Sequence, residues 1–154
     1  MNKKKIFTLL GLTLLAVLLV VNVNRAYSDS KYSEKQIAVQ DLAIKTFNID
    51  TNKVKPLFSS DIFDDNIAKE NSDISSDIRH KSAAALVMLT DEGIFEIGDF
   101  RPMYFLEGND KVSIAIKHAD GSISLDEFDI SKEKPIKIDH KVKSFGNMSI
   151  PKIN

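Results

Sequence analysis

The chain has 154 residues, 21 basic and 22 acidic side chains, a formal charge of −1, and no cysteine. Without cysteine there is no disulfide framework, no thiol nucleophile, no thiolate metal site and no lipid-modified cysteine anchor. The length suits one domain after a leader, large enough to build a core from buried apolar surface alone.

Residues 6–21 read IFTLLGLTLLAVLLVV, carry no charge, and follow Lys3, Lys4 and Lys5. A positive n-region before an apolar h-region is the layout of an export signal. Small residues Ala26 and Ser28 suit cleavage after Ser28, which would make Asp29 the new N-terminus. The alternative is retention as a membrane anchor. A helix over residues 6–21 spans only about 24 Å, short of a bilayer core of about 30 Å, so cleavage is the preferred fate. In either case residues 29–154 are expected as one extracytoplasmic domain. It would be secreted or anchored to the outer face of the cytoplasmic membrane, with the membrane touched only through residues 6–21. A pilin-like segment does not fit, because no acidic residue precedes Asp29. Beyond Ser28 the chain keeps 17 of its 21 basic residues and all 22 acidic ones, a charge near −5. That balance argues against nucleic acid and anionic lipid as partners and leaves another envelope or extracellular protein. Arginines are few (Arg25, Arg79, Arg101), which with abundant isoleucine and asparagine suggests an AT-rich bacterial genome.

Ser33-Glu34-Lys35-Gln36 reads as a capping box. The helix it opens carries Val39, Leu42, Ala43, Thr46 and Phe47 on one face and should end near Phe47, before Asn48. Next, Ser60-Asp61 can start a short helix with Ile62, Phe63 and Ile67 turned inward. Residues 69–77 are polar and read as a loop or weak helical turn. From Ser82 the pattern is taken as period 2, with Ala84–Leu89 as a strand; helix by propensity is the alternative. Thr90-Asp91-Glu92-Gly93 is a turn signal, Ile94–Ile97 a strand, and Gly98–Pro102 a break. Met103–Leu106 resumes the strand pattern and Glu107–Asp110 turns it.

Val112, Ile114 and Ile116 alternate with polar or small residues up to Asp120-Gly121, read as a two-residue hairpin turn. Ile116 should then face Leu125, and a bulge at Asp126–Glu127 would bring Phe128 opposite Ile114. Ile136, Ile138 and Val142 alternate with lysines, as on an edge strand guarded against further pairing.

The sum is an α+β protein: the N-terminal signal or anchor helix, then one or two helices packed on an antiparallel β-meander. That element order over roughly residues 33–143, with Leu57-Phe58-Ser59-Ser60-Asp61 after the long first helix, resembles the cystatin-like and nuclear-transport-factor-like cone folds. The resemblance rests on order rather than a motif. It implies a curved sheet wrapped on the first helix, in domains that serve as binding or assembly modules and sometimes as inhibitors or enzymes. It transfers no functional residue.

Chemistry-bearing constellations are sparse. Asp120–Phe128 imitates half of a calcium loop, but counting back from Glu127 puts Ile116 and His118 where oxygen ligands belong. The acidic cluster Asp61, Asp64 and Asp65 reads as a solvated helix start. His80, His118 and His140 lack zinc spacing, no serine sits in a nucleophile elbow, and no glycine-rich phosphate loop occurs. No metal, cofactor or catalytic residue is expected. Asn147-Met148-Ser149 matches a glycosylation acceptor, which a bacterial host would not use. Arg101 is the one candidate binding residue: a guanidinium between Phe100 and Pro102 can anchor a carboxylate, although an ion pair with Glu96 or Asp99 would satisfy it too. The expected role is a non-enzymatic binding or assembly module. An inhibitor or immunity-type protein that blocks an envelope enzyme is the alternative, and a small enzyme with a pocket in the curved sheet comes third.

Overall fold

The computed structural model describes residues 34–64 and 74–145. The expected leader, Ser33, Asp65, Ile67 and the glycosylation acceptor lie outside the described residues. Among those described, no helix is long and apolar enough to cross a membrane.

The first helix, α1, covers residues 34–47, and from Ala38 onward the chain forms one compact unit. Val39 and Ala43 are buried, with Leu42 and Phe47 packed beside them. Asn48 ends the helix in the left-handed region (φ 53°), and the Ile49 amide donates back to the Ile44 carbonyl at 3.0 Å. A short polar residue at the turn beyond a helix, with an amide reaching back to the last carbonyls, is a common C-terminal cap.

Strand β1 (Lys55–Phe58) leads straight into the short helix α2 (Ser59–Phe63). The Phe58 amide donates to the Asp61 carboxylate at 2.7 Å, and the Ser59 hydroxyl donates to the Pro102 carbonyl at 2.8 Å. Asp61 thus caps its own helix instead of facing solvent.

Residues 84–89 are not a strand. They belong to α3 (Ser76–Asp91), capped by Ser75, whose hydroxyl accepts the Ile78 amide at 3.3 Å. Ile78, Ser82, Ala85 and Leu89 are its buried residues, spaced three or four apart on one face. Three alanines in a row favour helix over strand. Ile94–Ile97 is not a strand either. The Ile94 and Phe95 amides both donate to the Leu89 carbonyl, closing the helix end, and Ile97 is fully exposed.

Four more strands follow: β2 (Met103–Glu107), β3 (Lys111–Lys117), β4 (Ile123–Asp129) and β5 (Ile136–Lys143). The sheet is antiparallel throughout, in the order β1-β2-β3-β4-β5. Alternation gives it two buried faces. On one, Met103, Phe105, Ala115, Ile123 and Leu125 pack with Val39 and Ala43 of α1. On the other, Tyr104, Val112, Ile114, Ile116 and Phe128 pack with Ile78, Ala85 and Leu89 of α3. The sheet therefore has a helix on each side.

The β3–β4 register differs from the hairpin reading. The connection is longer than two residues: His118 donates its amide to the Ser122 carbonyl, and Gly121 stands at φ 94°. The buried Lys117 amine braces the loop by donating to the Gly121 and Ser122 carbonyls. Ile116 therefore faces Ser124, Val112 faces Phe128, and this ladder runs without a shift. The irregularity lies on the other side of β4. There Glu127 faces Asp139 and Phe128 faces Lys137, which leaves Ile138 as the extra residue.

Candidate functional site

Two concavities bring together polar side chains singled out in the sequence. The first carries Arg101. This residue is exposed, while Pro102 beside it is buried and held through its carbonyl by Ser59. Arg101 and Pro102 line a groove of about 530 Å³ together with Phe63, Asp64, Leu86 and Phe95. Phe63, at the end of α2, is 54% exposed. Its ring meets that of Tyr104 edge-to-face, with centroids 6.5 Å apart. Tyr104 is wholly buried, and burial pushes its phenol pKa well above the ordinary value. The groove thus has an aromatic and aliphatic floor with one cationic and one acidic group on its wall. Asp99, two residues before Arg101, is hydrogen-bonded through both carboxylate oxygens. One accepts the Ala119 amide, and the other accepts the Glu96 amide and meets His118.

That second set belongs to a cleft of about 430 Å³ between residues 93–99 and β5, lined by Ile94, Glu96, Asp99, His118, His140 and Val142. His118 Nδ1 lies 3.0 Å from Asp99 Oδ2, and Nε2 lies 2.9 Å from Ser124 Oγ. Burial acts to raise the Asp99 carboxyl, but the Glu96 and Ala119 amides and the His118 imidazole outweigh it and hold it below its ordinary value. Carboxylate, imidazole and hydroxyl stand in the order of an acyl-transfer triad. Ser124, however, is completely buried within β4, so its oxygen has no route to a substrate. What the chain of bonds does is fasten the 93–99 loop to the sheet.

The second imidazole is organised in the same way. Strand register places Asp126 opposite His140, and His140 Nδ1 lies 2.6 Å from Asp126 Oδ1. Lys137 reaches the same oxygen at 3.0 Å and Glu92, at the end of α3, at 2.7 Å. Burial acts to lower the Lys137 amine, yet the bonds to Glu92 and Asp126 hold it above its ordinary value. Asp126 is completely buried, and its Oδ2 makes no hydrogen bond. A buried carboxylate flanked by a lysine and an imidazole is thereby compensated on one oxygen only.

The sequence treats His118 and His140 as unrelated. The structure brings both to one cleft, each backed by a carboxylate. The signal for His140 was its register against Asp126. The signal for His118 was invisible, because Asp99 reaches it from an irregular segment. His80, between Arg79 and Lys81, is exposed on α3. Asp120 serves the loop, accepting the Ser122 amide and hydroxyl at 2.8 and 2.7 Å. Among the described residues, no group of three or more histidine or acidic side chains is placed to hold a metal ion.

Comparison of the chain with family models, with curated proteins and with solved structures yields no match.

Proposed function

We propose that this chain is a non-enzymatic extracytoplasmic binding or assembly module, secreted or held at the membrane by residues 6–21, that docks another envelope or extracellular protein in the Arg101 groove. The observation that carries the reading is the half-exposed Phe63 in a concavity floored by Leu86, Phe95 and Pro102. An aromatic left half in water beside a guanidinium suits a partner that offers an apolar side chain and a carboxylate. The cone-fold resemblance in element order is consistent with such a role. The export of the domain rests on the apolar run at residues 6–21 and the three lysines before it.

The test pairs location with docking. A reporter fused behind residue 28 should report from outside the cytosol; activity confined to the cytosol would end the extracytoplasmic reading. Capture of a defined partner from envelope extract should fall at least about tenfold for Phe63→Ser and for Arg101→Glu, with unchanged circular dichroism. Capture that survives both substitutions moves the docking surface elsewhere. The enzyme reading gains residue types from Asp99, His118 and Ser124 but loses to the burial of Ser124.

A further inference from the structure

Strand β5 closes one side of the sheet, and among the described residues no strand pairs with its outer edge. An open edge with apolar side chains is a hazard that proteins usually guard with lysines. Here two of the three lysines of β5 are held in ion pairs. Lys137 is bound to Glu92 and Asp126, and Lys141 reaches Glu127 at 2.7 Å and Asp139 at 2.9 Å. Ile138 and Val142 stay 56% and 50% exposed.

From Ile138 to Val142 the strand reads Ile-Asp-His-Lys-Val. That run is complementary to its own reverse. Laid antiparallel against a second copy about a two-fold axis at His140, it sets Ile138 against the partner's Val142 and Asp139 against the partner's Lys141. The symmetry makes each pair twice. We propose that β5 is the interface of a homodimer paired in this register, which joins two five-stranded sheets into one.

The two adjacent registers fail on charge. An axis at Asp139 opposes two carboxylates, and an axis at Lys141 opposes two ammonium groups, both destabilising across a sheet. In the His140 register the next pair outward would oppose Lys137 and Lys143. The extra residue at Ile138 removes that conflict. Lys137 faces α3 with Phe128, whereas Lys143 lies on the other face with Ile123. Five residues a side make a small interface, so the dimer is weak and exchanges readily. The two His140-lined clefts then adjoin across the axis.

Sedimentation velocity on the full chain in mild detergent tests this. Asp139→Lys and Lys141→Asp each place like charges opposite one another and should weaken the dimer about tenfold. The double exchange restores the pairs and should restore association. Asp139 and Lys141 are both about half exposed, at 47% for each side chain, so folding should survive each change, as circular dichroism would verify. Because the chain has no cysteine, Ile138→Cys with Val142→Cys gives a second readout. Four residues along a strand span roughly 13 Å, too far for a disulfide within one chain, so oxidation should yield covalent dimers. Val87→Cys, 58% exposed on α3, should not cross-link above the collision rate. A monomer at all concentrations, association indifferent to the charge exchanges, or equal cross-linking at Val87 overturns the proposal.

Discussion

The imidazole of His118 makes two bonds at once, to Asp99 at 3.0 Å and to Ser124 at 2.9 Å. Its partner Asp99 also accepts two backbone amides, so one carboxylate organises the loop before β2. The net lowering of the Asp99 pKa carries a sign. A carboxyl whose folded pKa lies below its unfolded value adds stability above the unfolded value, and that stability drains away as pH falls through the folded one. The loss should begin near the ordinary value of 3.8 and continue below it. Urea titrations between pH 7 and pH 2 should show this slope, and Asp99→Asn should flatten it. His118→Ala should cost about 2 kcal/mol by the same measurement, because it strips a charge-assisted bond and leaves the buried Ser124 hydroxyl without its partner.

Helix α3 shows where local pattern and tertiary context diverge. An apolar run such as Ala84–Leu89 satisfies a buried strand and a buried helix equally well by hydrophobicity alone. What separates them lies upstream: the Ser75 cap falls in a stretch read as loop, and the Ile78 anchor lies just past it. Adding them turns six apolar residues into sixteen with a buried face. By contrast β2, β3, β4 and β5 were legible, because strict alternation in Val112–Ile116 and Ile136–Val142 leaves little choice. The β3–β4 register was not, since one hairpin loop a few residues longer than expected changes every partner along the ladder. The groove was half legible: Arg101 drew notice from its neighbours, but Phe63 reaches the same wall only through the fold. Ser82 gives this scale its prediction. It faces the sheet from mid-helix, almost wholly buried, with a hydroxyl that makes no hydrogen bond. Ser82→Ala removes an unsatisfied buried group and improves helix propensity, so it should stabilise by about 1 kcal/mol in urea unfolding. A loss of stability would show that the hydroxyl has a partner after all.

Taken whole, the domain has two cores separated by one sheet, and it holds them without a disulfide. Strand β3 is central to both. It is bonded on each edge, to β2 and to β4, and gives Val112, Ile114 and Ile116 to one core and Ala115 to the other. Among the described residues strand β5 has one bonded edge, and its side chains are mostly exposed. Hydrogen exchange should therefore rank β3 slowest, at the global unfolding free energy, and β5 faster in the dilute monomer. Raising the protein concentration should slow β5 alone if copies pair there.

The single residue too many in β5 has a further effect. Because Ile138 has no opposite number on β4, the regular ladder breaks there, and only the stretch from Ile138 to Val142 keeps the alternation a neighbour needs. A chain added at this border could follow the ladder for a few rungs and then lose it. Growth from this side therefore stops at a short, reversible clasp and does not run on into a fibre.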